Sequence, residues 1–421
     1  MLRISASSTT PPVAAAQQSL LASALALLLL GVATPGNAAN GRGKPPPPTP
    51  PNPDIVYMSS GSNAPTGPSI RGVALTIGID SVSGSDTQLL KALDGRSRSS
   101  ISWSPDGTRY AWIEGATGQS RKIMWAEPGR AATVLYQPGD PADPYVSGGN
   151  DVLAWAPGCA SGNSVLVFAR EAKWDPVEEI ETEHPAIMAI DIGPGPDLVR
   201  DPPRLMLEVS APGAFAFSPS GRSLAYRAGS EQYEGIWVLP LACALDPERP
   251  GVPTPGDPVQ LLTWDDLGAP QYPCEPDPAI PCHPYPAQSV ASTDWSGDGL
   301  RLALSVIVSP DPGYPWRDLR VAYLSLTPGA YEQAALVDIV SVNLDSIFGP
   351  ASSEHYPQWG PTELDDSCER LAFAQSAGAI DGSDMNGRRL FLLDLQPGSP
   401  GCFIRDPLQV PARNPRVLDW K

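Results

Sequence analysis

Ser102-Trp103-Ser104-Pro105-Asp106-Gly107-Thr108-Arg109, continued by Tyr110-Ala111-Trp112-Ile113, is the stretch from which the fold can be read. An aromatic residue ends a strand. Pro105 presets φ for a turn, Asp106 can accept hydrogen bonds from its own backbone, and Gly107 tolerates φ > 0. The apolar run that follows returns antiparallel, so the stretch predicts a hairpin.

The same pattern returns along the chain. Ala216-Phe217-Ser218-Pro219-Ser220-Gly221-Arg222 precedes Leu224-Ala225-Tyr226, and Asp294-Trp295-Ser296-Gly297-Asp298-Gly299 precedes Leu302-Ala303-Leu304. Degenerate copies are Ala154-Trp155-Ala156-Pro157-Gly158 with Val165–Phe168, and Gln358-Trp359-Gly360-Pro361 with Leu371-Ala372-Phe373. Val417-Leu418-Asp419-Trp420 is a last fragment. The marker aromatics Trp103, Trp155, Phe217, Trp295, Trp359 and Trp420 are 52, 62, 78, 64 and 61 residues apart. A bare propeller blade needs about 40–50 residues, so these units carry insertions. Two further strands follow in most units, such as Lys122–Trp125 and Ala132–Tyr136, or Gly235–Leu239 and Val259–Thr263. Four short antiparallel strands per unit predict blades.

The two ends of the repeat set the blade number. Ile55–Met58 reads as a second strand with no first, with Gly72–Asp80 and Gln88–Leu90 as the third and fourth of that unit. Val417–Trp420 reads as a first strand with no second. Joined, they complete one blade. The expectation is an all-β, six-bladed β-propeller of four-stranded antiparallel blades over residues 55–421, closed by a C-terminal strand that hides sheet edges.

The W-S-P-D-G turn followed by an L-A-Y/F strand resembles the repeat of TolB-like (WD40-like, PD40) propellers, which also occurs in prolyl oligopeptidases. The resemblance implies the fold and leaves the activity open. TolB proteins place an α/β domain before the propeller and bind a peptidoglycan-associated lipoprotein; here a Pro-rich segment occupies that place. Prolyl oligopeptidases add an α/β-hydrolase domain, and this chain shows no G-x-S-x-G.

Residues 1–38 read as an export signal. Leu20–Val32 is apolar and uncharged, too short to span a bilayer comfortably. Small residues at Gly36, Ala38 and Ala39 suit cleavage, and Arg3 is the sole charge before them. An uncleaved membrane anchor is the alternative; no later segment is apolar enough to insert. Residues 39–54 form a stiff Pro-rich linker that contains Gly41–Asp54. With 51 Pro and 39 Gly but 42% hydrophobic residues, the chain suits short ordered strands joined by turns. Its net charge of −18 becomes −19 without Arg3. Such a charge disfavours nucleic acid and anionic membranes as partners and favours solubility as a monomer.

Cys159, Cys243, Cys274, Cys282, Cys368 and Cys402 are even in number and contain no C-x-x-C, which suits disulfides of an exported protein. In a blade, the turn between strands one and two lies on the same side as the turn between three and four. That placement suggests Cys368–Cys402 within the last blade. Cys274–Cys282 would staple the long Cys243–Tyr285 insertion, and Cys159–Cys243 remains by elimination. Six cysteines allow fifteen pairings.

Catalysis needs titratable groups held together. The three histidines, His184, His283 and His355, fall in different units and are expected in loops. No Ser or Cys has a base nearby in a familiar motif, so no catalytic residue is assigned. Asp175–Glu183 (DPVEEIETE) is expected as a solvated acidic loop, with a cation or basic peptide as its alternative use. Asp381, Asp384 and Asn386 are candidate calcium ligands, although the register departs from an EF-hand and the bidentate Glu is missing. Calcium is thus the one cofactor to consider. Arginines forming a sialidase triad cannot be assigned despite Asp-box-like turns. The leading expectation is a periplasmic or secreted, non-enzymatic propeller that binds or scaffolds a protein or peptide partner. The Cys243–Tyr285 insertion is a candidate recognition loop. The alternatives are a propeller hydrolase or lyase acting on polysaccharide or peptide in the channel, and an accessory subunit of a catalytic chain.

Overall fold

The computed structural model describes residues 53–420 except for 60–67, 78–81, 94, 117–119, 139–144, 149–151, 160–161, 176–179, 194–201, 230–234, 244–251, 268–286, 309–315, 328–331, 343, 345–352, 361–369, 377–387, 396–406, 411 and 413–414. All of these belong to the compact unit Thr49–Lys421.

Six antiparallel sheets follow in chain order. Blade one joins Pro415–Trp420 to Ile55–Ser59, Ser69–Ile77 and Val82–Leu90. Blade two is Arg96–Trp103, Tyr110–Ala116, Lys122–Ala126 and Thr133–Tyr136. Blade three is Leu153–Pro157, Ser164–Arg170, Ala186–Ile192 and Arg204–Glu208. Blade four is Gly213–Phe217, Ser223–Ala228, Gly235–Ala242 and Val259–Thr263, with Thr254–Pro255 added beside its third strand. Blade five is Ala287–Trp295, Arg301–Val308, Trp316–Thr327 and Gln333–Ser341. Blade six is Ser353–Trp359, Arg370–Ser376, Arg389–Asp394 and Leu408–Val410. The first strands of successive blades touch one another in a closed cycle, sixth to first included. They are therefore the innermost strands of a six-bladed propeller.

The repeated turn explains each hairpin. Gly107 N donates to Ser104 O at 2.8 Å, Ser104 Oγ donates to Asp106 Oδ1 at 2.5 Å, and Thr108 N donates to the same carboxylate at 3.0 Å. Gly107 sits at φ 61°, a conformation that favours glycine. The turn at Ser296 repeats these bonds through Asp298 and Gly299. In blade four the Ser220 hydroxyl takes the aspartate's place and accepts from Arg222 N at 3.2 Å.

The core lies between blades, since each apolar cluster draws on neighbouring sheets. Removing both faces of a blade from water drives the stacking. Polar bonds then set the register between inner strands. The residue before a marker aromatic accepts from the backbone N–H of the next blade's marker. Asp419 Oδ2 accepts from Trp103 N at 2.5 Å, Ser102 Oγ from Trp155 N at 3.1 Å, and Asp294 Oδ2 from Trp359 N at 2.6 Å. Closure pairs Ile55 with Trp420 and Met58 with Val417. A Cβ on Gly360 would come within 2.9 Å of the Trp420 ring, so a glycine lets the closing tryptophan seat against blade six.

Several expectations change in detail. Of the Asp175–Glu183 run, residues 176–179 lie outside the described residues. Its ends extend blade three's second and third strands as a hairpin, Lys173–Asp175 against Ile180–Glu183, which suits the β-branched Ile180 and Thr182. In blade one the third and fourth strands are Ser69–Ile77 and Val82–Leu90, rather than Gly72–Asp80 and Gln88–Leu90. The polar V-S-G-S-D-T-Q segment hides a strand because an outermost strand is half in water on both faces. His355 lies in a strand and is buried. The innermost strand of blade six, Ser353–Trp359, begins well before its marker tryptophan.

Asp419 is half-buried, and desolvation raises its carboxyl from 3.8 to about 7 against the opposing hydrogen bonds of Trp103 N, Trp420 N and Ser102. A raised folded-state value means the native chain holds this proton between those limits while the unfolded chain has lost it. Its contribution is therefore complete near pH 4 and declines as pH rises to about 7. Asp419→Asn keeps the acceptor oxygen without the charge. The variant should gain stability relative to the parent across that window and level off above it, as read from paired thermal melts at successive pH values.

Candidate functional site

The innermost strands begin at one edge of the ring, where second strands also end and third strands start. Three of the four non-glycine residues with positive φ are on these innermost strands: Ser100 at 51°, Ala214 at 52° and Tyr356 at 52°. Each falls at a shift of register, between Ser99 and Ile101, Gly213 and Ala216, and His355 and Gln358. Such bulges bend a strand and re-aim side chains. Polar clusters gather along the same edge.

In blade two, Glu114 is 2% exposed and accepts from Arg96 Nη1 at 2.5 Å and Arg98 Nε at 3.0 Å. Burial works to raise this carboxyl, but the bonds and charges of the two arginines outweigh it and hold it below its usual value. Arg98 also donates to the carbonyls of Lys91 at 2.8 Å and Pro68 at 3.1 Å, and lies over the Trp112 ring. Arg96 and Glu114 line a groove of about 390 Å³ together with Ser120, Lys122 and Gln137. The arrangement offers fixed charge at an open surface.

Between blades four and five, Arg227 donates to Ser289 Oγ at 3.2 Å and Val290 O at 3.1 Å. Between blades two and three, Arg121 pairs with Glu171. At blades five and six, His355 Nε2 lies 3.1 Å from Ser376 Oγ, and Arg317 rests over the Tyr356 ring at 5.7 Å. Burial, then Arg388 and Arg317, push the His355 imidazole well below its usual value, so it is neutral at pH 7. The pair has the composition of a nucleophile and its base. Yet His355 Nδ1 has no partner to orient it, and the adjacent cations make the ring a weak base.

The sequence candidates are not brought together. His184 is exposed at blade three, its carbonyl accepting from Arg170, while His355 is buried in blade six. His283, Asp381, Asp384 and Asn386 lie outside the described residues, as do Cys274, Cys282, Cys368 and Cys402. The structure holds the Cys159–Cys243 disulfide, with Cα atoms 5.1 Å apart, joining blades three and four. Among the described residues no group of three or more His, Cys, Asp or Glu could hold a metal ion. No helix among them is long and apolar enough to cross a membrane. Sequence reasoning missed Glu114, Arg317 and Ser376, because their proximity comes from pairing across strands and blades rather than from spacing in the chain.

The Ser-Pro-Asp-Gly turns, four-stranded blades and C-terminal closing strand are now all in place. The fold is that of a six-bladed β-propeller. TolB from Acinetobacter baumannii is similar to this chain at 13% identity over 87% of it, with a TM-score of 0.45; the match spans 66% of that TolB. The periplasmic gluconolactonase PpgL from Pseudomonas aeruginosa is similar at 12% identity, over 86% of this chain and 97% of that one, with a TM-score of 0.40. A puromycin-hydrolyzing peptidase from Mycobacterium tuberculosis is similar at 15% identity, over 73% of this chain and 37% of that one, with a TM-score of 0.39. No protein-family model and no curated protein matches the chain.

The Glu114 cluster makes a testable demand. The Arg98 side chain is 4% exposed, so Glu114→Gln would strand a buried guanidinium and should cost about 3–5 kcal/mol. Chemical denaturation at pH 7 measures this loss. In the parent, the Glu114 contribution should fade as pH drops through the lowered carboxyl value.

Proposed function

We propose that this chain is an exported propeller that binds a protein or peptide partner in the periplasm or outside the cell. The observation that carries the reading is the blade-two groove, whose charged lining is fixed before any partner arrives. Arg96 and Arg98 are both held by Glu114, so their ordering is not an added cost of association. Arginine is enriched in protein interfaces, and a polar open groove suits recognition. Export is supported by the uncharged Leu20–Val32 stretch ahead of a small-residue site, and by the Cys159–Cys243 bond, since disulfides persist in oxidising compartments.

A photo-cross-linking residue at exposed Ser120 tests this directly. Incubated with the native envelope fraction, it should give a discrete adduct that weakens with Arg96→Glu and Lys122→Glu. The same residue at exposed Arg130, on the opposite edge of blade two, should not. Adducts at neither position, or equal adducts at both, would remove the groove from consideration.

A second reading, a propeller hydrolase, has one observation in its favour: the 3.1 Å contact of His355 with Ser376. A depressed imidazole with an unoriented Nδ1 argues against an activated serine. A fluorophosphonate probe should therefore leave Ser376 unlabelled. Labelling that His355→Gln abolishes would make the enzyme reading the better one.

A further inference from the structure

The seam between blades five and six contains groups that neither blade packing nor the partner groove employs. His355 is 6% exposed, and its Nδ1 lacks a hydrogen-bond partner. The Arg317 Nη1 is buried and likewise unpartnered. Its backbone N donates to Ser353 Oγ, and its guanidinium lies over the Tyr356 ring at 5.7 Å. A buried donor left unpaired costs about 1–3 kcal/mol, and native structures hold few of them. Here two lie beside Tyr356, with its φ of 52°, and the Arg388 charge acts on the same imidazole. Strain of that kind collects at functional sites.

We propose that this seam binds a small carboxylate, held by Arg317, the Nδ1–H of His355 and the charge of Arg388. The hydrogen bonding supports this tautomer. The 3.1 Å contact of Nε2 with Ser376 Oγ fits either direction, and the one in which the hydroxyl donates leaves the proton on Nδ1 for the ligand. The planar guanidinium can donate to both carboxylate oxygens at once. The charges acting on the imidazole are both positive, from Arg388 and Arg317. Nearby, Asp318 is engaged by Arg320 at 3.6 Å, and Glu354 has contacts of its own. A bound carboxylate offsets the Arg317 charge and lets His355 take up a proton. Affinity therefore rises as pH falls. This site is independent of the blade-two groove and stands or falls separately from it.

The test is NMR of the full chain with isotope-labelled histidine. The chain has three histidines, so His355→Gln assigns the signal. Acetate probes a free acid, and N-acetyl-glutamyl-glycinamide a side-chain carboxylate within a peptide. At least one should shift the His355 resonances and raise the imidazole pKa. Stronger response to the peptide assigns the ligand to a polypeptide, and stronger response to acetate to a small acid. Arg317→Gln should weaken binding roughly tenfold or more while the melting temperature stays near the parent's. Arg388→Gln provides a second variant with the same expected direction. Unmoved His355 resonances with both probes would overturn the site. So would a response undiminished in both variants. Asp381 and Asp384 belong to the neighbouring segment 377–387, outside the described residues. If acetate acts only after both are changed to Asn, the chain's own carboxylate fills the seam and the proposal fails.

Discussion

Ring closure is the constraint on which the rest of the molecule depends. A blade buries both faces only when it has a neighbour on each side, so an open arc of six sheets would leave two apolar faces in water. The strand Pro415–Trp420 removes that problem by pairing with Ile55–Ser59. It completes the hydrogen bonding of blade one, and its Val417, Leu418 and Trp420 enter the cluster that joins blades six, one and two. Contacts of such long sequence separation carry a loop-closure cost that local turns do not. The compact turns at Ser104, Ser218 and Ser296 therefore matter: they make each hairpin cheap enough for the distant pairing to decide the fold.

Packing alone would let stacked blades slide, and the inner-strand hydrogen bonds prevent this. Where Ser102, Asp294 or Asp419 precedes the marker aromatic, its oxygen fixes the next blade's backbone. Blades three and four carry Ala154 and Ala216 at that position and have no such oxygen. Other bonds hold those seams. The Cys159–Cys243 disulfide joins blade three to blade four. Thr293 Oγ1 donates to Ala214 O at 3.0 Å, and Ser223 Oγ donates to Glu332 Oε1 at 3.0 Å, between blades four and five. The alanine seams thus combine a covalent bond with buried and part-buried polar contacts. The aspartate seams instead place a half-buried carboxylate between blades, which is costly unless it stays protonated or well bonded.

The architecture was legible in the sequence because its information is local. Trp103 to Gly107 encodes a turn by the φ preferences of Pro and Gly and the side-chain acceptor of Asp, and repetition did the rest. The terminal half-blades were legible for the same reason: a strand pattern without its partner implies one elsewhere. The bulges at Ser100, Ala214 and Tyr356 were not, since serine, alanine and tyrosine give no signal for positive φ. Nor was the burial of His355, which depends on Arg317 and Ser376 arriving from two other strands. The acidic run Asp175–Glu183 misled in the opposite sense, because charge was read as loop while alternation with β-branched residues was enough to extend a hairpin.

The two polar clusters on the leading edge differ in a way that bears on use. In blade two the carboxylate Glu114 satisfies both arginines, so the groove has settled charge and presents a rigid surface. At the seam of blades five and six the Arg317 Nη1 has no hydrogen-bond partner. Arg317 and Arg388 instead act on a neutral imidazole that has one donor to spare. If packing were the sole purpose of that seam, the apolar contacts of Leu319, Val321 and Phe373 would serve without an arginine and a histidine beside them. Arg317 keeps a buried nitrogen without a hydrogen-bond partner there, and a carboxylate from outside is the group whose charge and shape complete it.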